Sequence, residues 1–486
     1  MKTRQEWLGN IKGDLLAGLV VCMALIPEAI GFSIVAGVDP MVGVYASFCL
    51  SLITSIFGGR PGLISAAAGS TALVLASLVR SYGIEYMFLA TILAGIMQVI
   101  LGYLKFGNLM RFIPKPVMIG FVNALGIMMF QSQLDHFKGG SILLVLGALG
   151  VFIIYMFPKF TKTIPAPIVA IITITIIVTV FNVRIKTLGD MGKITTELPR
   201  LLIPNVPFNM KTLSIIFPYS ISVALVGIVE SLLTAQLVDD LTDTPSDKNR
   251  ECVGQGLGNI VTGFFGGIAG CGMIGQTIIN HNYGGRGRLS TLTAGTAMLF
   301  SIIILNRFVT QIPVVSLAAV MVVVAISTFN WGSIKRIAKV PKSDTLVMLS
   351  TVAVVLATHN LAYGVIVGII ISALAFASKV SEIDVKKNNA NEYIKYHVKG
   401  ELFFASTTKF INSFDYNEKV NTIDIDFTNA KVWDESAVDA IDKVVTKYHK
   451  NNITTNLIGL SSSSLELVDN MTIHNKADGL NIISDS

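Results

Sequence analysis

"GGRPGLISAAAGSTALVLASLVR", residues 58–80, opens on two glycines, an arginine and a proline before a short apolar run. Glycine and proline are poor company for a helix, so the first part of the stretch does not continue one. The run behind it has room for a helix of about twelve residues, roughly 18 Å long. That is about half of a hydrocarbon core some 30 Å thick. Irregular backbone at such depth survives only where protein or a wet cavity satisfies its polar groups. Inside a membrane, therefore, this stretch is a half-helix that starts midway across.

The rest of the chain supplies the membrane. It has 486 residues, of which 52% are hydrophobic and only 14% charged, and its mean hydropathy is +0.66. Soluble chains carry about 25% charged residues. Runs such as 164–181 and 361–377 approach or reach the length needed to span a bilayer. The N-terminal "MKTRQEWLGNIKGD" (1–14) lacks a small-residue cleavage site after a short apolar core, so it is not a removable signal peptide. The net charge of +6 does not point to nucleic acid, because the basic residues sit mainly between apolar runs, as positive-inside topology requires. Cys22, Cys49, Cys252 and Cys271 show neither metal-ligand nor disulfide spacing and read as small packing residues.

A second broken stretch, "GFFGGIAGCGMIGQTIINHNYGG" (263–285), has the same character. Full helices are expected near 14–37, 41–57, 86–104, 116–132, 141–157, 164–182, 213–238, 251–266, 289–305, 313–329, 344–358 and 361–378. With both broken stretches counted there are fourteen segments, and the broken ones are third and tenth. Each is thus third in a set of seven. The first helix of each set carries a buried-looking carboxylate: Glu28 in "ALIPEAIGF" (24–32) and Glu230 in "LVGIVESLLT" (225–234). An odd number of spans inverts the second copy, and short interrupted segments at matching positions point to a transporter's central site.

With the N-terminus inside, the basic short loops, including Lys105, Arg111, Lys115, Lys159, Lys162, Lys248, Arg250, Lys335 and Lys342, face the cytoplasm. Arg80, Lys138, Arg307 and a longer loop at 183–211 lie outside. Near residue 380 the composition turns polar, dividing a transmembrane domain (1–380) from a cytoplasmic module (381–486). The module reads as strand 393–404, helix 407–413, strand 422–427, helix 436–449, strand 455–460 and helix 464–470, a small parallel-biased sheet covered by helices.

"LIPEAIGFSIVAGVDPMVGVYASF" (25–48), "GGRPGLISAAAGSTALV" (58–74), "DKNRECVGQGLGNIVTGFFGG" (247–267), "GCGMIGQTIINHNYGGRGRLSTLTAG" (270–295) and "VWDESAVDAIDKV" (432–444) resemble the SulP family of anion transporters with a C-terminal STAS domain. The resemblance implies a seven-plus-seven inverted repeat, split into a core and a gate, and homodimers in the membrane. It implies inorganic anions or small carboxylates as substrates: sulfate, bicarbonate, chloride or dicarboxylates. It places the anion at Phe32, Ala68, Gly69, Ser70, Gly275 and Gln276, and extends to Glu230. Many animal relatives have an arginine where Gln276 stands, so this chain has no evident fixed cation at the site, and a coupling ion gains weight.

Glu230 is read as the coupling residue, since intramembrane ionisable groups are functional by default. Thr234, one helical turn on and on the same face, offers a hydroxyl that with the carboxylate would suit Na+; the carboxyl alone would suit H+. Glu28 is assigned to the helix kinked by Pro27, with Phe32 lining the pocket one turn further. In the module, Asp434 or Ser436 caps a helix, and the STAS resemblance places a phosphorylatable serine at Ser436. There is no phosphate-binding loop to drive transport with ATP, no enzyme motif, and no cofactor beyond a bound Na+. Two half-helix N-termini supply about +1 charge, which an ionised Glu230 cancels and one cation restores. The expectation is cation-coupled symport of a small anion, bicarbonate ahead of sulfate, by alternating access. The alternatives are an anion channel or exchanger, a C4-dicarboxylate transporter, a nucleobase–proton symporter of the same architecture, or a membrane-anchored sensor.

Overall fold

A computed structural model describes residues 2–108, 113–138, 140–160, 165–191, 197–207, 209–389, 394–471 and 480–483. Arg111, Lys162, part of the 183–211 loop and the expected start of the module's first strand at Tyr393 lie outside them. The chain divides into two compact units, 1–369 and 370–486, the division falling within the last apolar helix.

The fourteen segments are α1 (Ile11–Ala36), α2 (Pro40–Phe57), α3 (Gly69–Tyr82), α4 (Ile84–Tyr103), α5 (Lys115–Gln133), α6 (Ser141–Met156), α7 (Ala166–Val180), α8 (Met210–Thr242), α9 (Lys248–Phe264), α10 (Ile274–Asn282), α11 (Arg288–Ile304), α12 (Val314–Thr328), α13 (Lys342–Thr358) and α14 (Leu361–Val380). Eight helices among the described residues are long and apolar enough to cross a membrane. The third and tenth are short, 14 and 9 residues, or roughly 21 and 14 Å. Each follows a three-residue strand, β1 (Ser65–Ala67) and β2 (Gly270–Gly272). The sequence reading had only irregular backbone there, because three small residues carry no strand periodicity.

The segments pack in two groups, α1–α4 with α8–α11 and α5–α7 with α12–α14. Small residues let helices of the first group approach closely. A Cβ added at Gly95 would stand 2.6 Å from the Gly256 carbonyl, and one at Gly256 would stand 2.6 Å from the Gly95 carbonyl. The groups meet where α1 packs on α7 and α12, and α3 on α5. Pro27 lies inside α1, which continues through it to a left-handed cap at Gly37.

The second unit holds a five-stranded sheet in chain order: β3 (Asp384–Asn389), β4 (Ile394–Leu402), β5 (Thr422–Val432), β6 (Thr454–Ile458) and β7 (Leu480–Ile483). The first pair is antiparallel and the others are parallel. Sequence reading missed both edges. β3, "DVKKNN", is charged rather than alternating, the usual guard on an edge strand, and β7 is only four residues long. Helices Thr407–Asn412, Glu435–Lys450 and Ser462–Met471 pack on the sheet. Phe410, Ile423, Ile425, Phe427, Ile441 and Leu457 form part of the module's own apolar core. Asp434, not Ser436, is the cap: its carboxylate accepts from the Ala437 amide at 2.9 Å.

Candidate functional site

The two strands set the site. Ser65, Ala66 and Ala67 pair antiparallel with Gly272, Cys271 and Gly270, so the chain enters α3 and α10 in opposite directions from a shared ladder. The second helix of each repeat holds that ladder. From α2, Ser51 Oγ donates to the Ser65 carbonyl at 2.8 Å, and Ser47 Oγ accepts from the Ala67 amide at 3.1 Å. From α9, Asn259 donates to the Gly270 carbonyl at 3.1 Å and accepts from its amide at 2.9 Å. Buried backbone groups are thereby satisfied where a membrane offers no water. The first amides of each half-helix have no intrahelical partner and carry the positive end of its dipole.

Each repeat's first helix reaches the other repeat's half-helix. Glu230 on α8 accepts at Oε2 from Ser70 Oγ of α3 at 2.5 Å. Glu28 on α1 accepts at Oε2 from Gln276 Nε2 of α10. Cys271 Sγ also donates to Glu230 Oε2, at 3.2 Å. Among the described residues, no donor is placed on Glu230 Oε1. Hydrogen bonds to charged groups contribute about 1.5–3 kcal/mol each, enough to fix the Glu230 side chain in one orientation.

A cavity of about 400 Å³ lies between these elements, and Phe32, Gly69, Glu230, Gly275 and Gln276 are all on its wall. Ala68, Ser70 and Thr234 are buried but are not lining residues. Ser70 acts on the cavity through Glu230. The Thr234 hydroxyl lies 2.8 Å from the Glu230 carbonyl and 3.1 Å from the Gly272 carbonyl. Ser231 Oγ accepts from the Gly272 amide at 2.8 Å, so α8 is tied to β2 at two successive turns.

Three features of the site escaped the sequence reading. Glu28, assigned to the kink, also lines the cavity. Cys271, read as packing, sits against Glu230. The opposite wall comes from the fifth helix of each repeat, with Phe121, Leu125 and Met129 on α5 and Val324, Ser327 and Thr328 on α12. The charged wall residues are Glu28 and Glu230; no Lys, Arg or His lines the cavity among the described residues. Such a site can hold a small anion on amide dipoles and a cation on carboxylate oxygen.

Residues 11–143 and 141–351 match the Sulfate permease family, and residues 382–484 match the STAS domain. The chain is 53% identical over 470 residues to the putative sulfate transporter YbaR of Bacillus subtilis, covering 96% of this chain and 98% of that protein. It is 28% identical over 415 residues to the bicarbonate transporter BicA of Picosynechococcus, covering 78% of this chain and 72% of that one. The solved transmembrane domain of a cyanobacterial BicA superposes with a TM-score of 0.66 at 28% identity, covering 75% of this chain and 98% of that structure. SLC26A9 shares the fold, with a TM-score of 0.80 at 17% identity over 96% of this chain and 88% of its own.

Proposed function

The chain belongs to the sulfate permease family, and on that premise we propose that it is a secondary active transporter coupling a small inorganic anion to a cation. The observation that carries this reading is the cavity itself, where two half-helices begin and the charged wall residues are both carboxylates. Amides at the half-helix starts favour an anion, and Glu230 favours a cation. Na+ is assigned to Glu230 Oε1, on which no donor is placed among the described residues, while Thr234, off the cavity wall, holds α8 to β2 instead; H+ is the second candidate ion. The groups α1–α4 with α8–α11 and α5–α7 with α12–α14 act as core and gate, moving past each other to alternate access.

With Glu230 balanced by its cation and Glu28 neutralised by a proton, the two half-helix ends leave only about +1, which favours a monovalent anion such as bicarbonate. Sulfate is the second reading, favoured by the 53% identity to a protein named as a putative sulfate transporter. The protein acts in the cell membrane with both termini cytoplasmic, which the basic short loops support. A homodimer rests on the family resemblance. Uptake of labelled bicarbonate, sulfate and fumarate into proteoliposomes, with and without a Na+ or pH gradient, tests the substrate and its coupling. Saturable, gradient-dependent uptake of one inorganic anion is the expected result. Non-saturating conduction would indicate a channel, and fumarate preference a dicarboxylate carrier.

A further inference from the structure

Glu28 and Gln276 meet in the cavity from different repeats, with Gln276 Nε2 donating to Glu28 Oε2 across 248 positions of chain. Both side chains are buried and both line the wall. Gln276 follows Gly275 in the first turn of α10, and a Cβ built on Gly275 meets nothing within 4 Å. The matching start of α3 is covered: a Cβ on Gly69 would lie 2.8 Å from Phe32 Cε1 and 3.1 Å from Met129 Sδ. Space for an anion against free backbone amides is therefore at α10, beside Gln276. Gln276 also carries the only side-chain amide among the described lining residues. That amide is held by Glu28, and an ionised carboxylate there would oppose any anion arriving next to it.

We propose that Glu28 is a proton-linked latch on the anion site. The anion takes the Gln276 amide from Glu28, and the released carboxylate accepts one proton from hydronium in the bulk solution, releasing water. One hydrogen bond breaks at Glu28 and one forms at the anion; a new O–H bond at Glu28 balances the added negative charge. Each monovalent anion thus enters with one proton, apart from the cation at Glu230. The latch rests on the anion-transport reading above and deepens it. Glu28 acts by positioning Gln276.

Among the described residues, no fixed cation lines the cavity beside Glu28. Of the elements packed on α1, α7, α12 and β1 carry no titratable residue. The titratable residues of the others are Tyr45 and Cys49 on α2, Arg80 and Tyr82 on α3, His281 on α10 and Arg288 on α11, and none lines the cavity. Lys12, Asp14 and Cys22 on α1 itself are off the wall as well, which leaves Glu230 as the wall's only other titratable group among the described residues.

The test is exchange of labelled sulfate and, separately, of labelled bicarbonate in proteoliposomes of the full chain, with equal pH on both sides. The pH is varied between about 6.5 and 9, and bicarbonate ion is held constant by adjusting total carbon. In the wild type, the half-saturating anion concentration rises about tenfold per pH unit on the alkaline limb, as linkage to one proton requires. Glu28→Gln keeps size and hydrogen bonding but does not titrate, so its half-saturation is low and flat with pH. Glu28→Asp keeps a carboxyl and keeps the slope. A flat wild-type profile, or a Glu28→Gln protein that keeps the wild-type slope, overturns the latch. Should Glu28→Gln fail to insert, Glu28→Ala is read by the same slope. Failure of the wild type to exchange either anion overturns the transport reading itself.

Discussion

Ser70 Oγ lies 2.5 Å from Glu230 Oε2, although 160 positions separate the two residues in the chain. The contact joins the half-helix of the first repeat to the first helix of the second. It uses one carboxylate oxygen, Oε2, while no donor is placed on the other among the described residues, so the charge of Glu230 is separable from its place in the fold.

Glu230→Gln tests that separation. The amide oxygen still accepts from Ser70, while the charge on which the proposed cation binding depends is gone. We expect labelled anion to exchange at near wild-type rates at equal pH, with Na+-driven accumulation lost. Counterflow and uphill uptake measured in the same vesicles check this. Retained Na+-driven accumulation would remove Glu230 from the coupling step.

Gly275 and Gly69 should respond differently to the same change. Gly275→Ala adds a methyl to open space, so the protein inserts normally but the anion loses its approach to the α10 amides. Uptake should fall about tenfold or more, the cost of losing roughly 1.4 kcal/mol of binding. Gly69→Ala drives a methyl into Phe32 and Met129, and overpacking of this kind costs about 1–3 kcal/mol. The expected readout there is a lower melting temperature in detergent. Equal uptake by wild type and Gly275→Ala would move the anion elsewhere.

Topology is open to direct labelling, because Cys22, Cys49, Cys252 and Cys271 are all buried. A cysteine replacing Lys138 should react with an impermeant maleimide from outside the cell. One replacing Lys386 should react only after the membrane is opened. The opposite pattern would turn the whole arrangement over.

Asp426 makes the module acid-sensitive. Burial alone would raise its pKa, but the hydroxyl and amide of Thr428, together with Lys395, outweigh burial and lower it to about 2. The lysine lies 3.0 Å away. A carboxyl depressed in the folded state stabilises it above the unfolded pKa, near 4, and that contribution fades as pH falls toward 2. Its size is about 1–2 kcal/mol after allowing for solvent screening. Urea melts of residues 382–484 should show Asp426→Asn less stable at pH 7, with the difference shrinking between pH 4 and 2. A constant difference would assign the loss to packing.

Some of this was legible in the chain and some was not, for physical reasons. The half-helices announce themselves, because Gly58, Gly59 and Pro61 shorten one apolar run and the glycines at 266, 267, 270 and 272 shorten the other. Glu230 stands out because a lone carboxylate in an apolar run needs a reason. Sequence spacing says nothing of the bond between Glu28 and Gln276, or of Cys271 against Glu230, since both depend on how the two repeats close. Likewise β3 shows no apolar alternation, so only its pairing with β4 identifies it.

The reciprocal bonds have a consequence for biosynthesis. A ribosome adds about 5–20 residues per second, so the 160 positions between Ser70 and Glu230 take roughly ten to thirty seconds to make. Throughout that interval the first half-helix has neither its carboxylate nor its partner strand, because β2 follows Glu230 in the chain. The newly inserted first repeat must therefore wait, half-assembled, for its inverted twin. Substitutions at Ser47, Ser51 or Asn259 should accordingly be felt first as poor yield of inserted protein, before any loss of turnover.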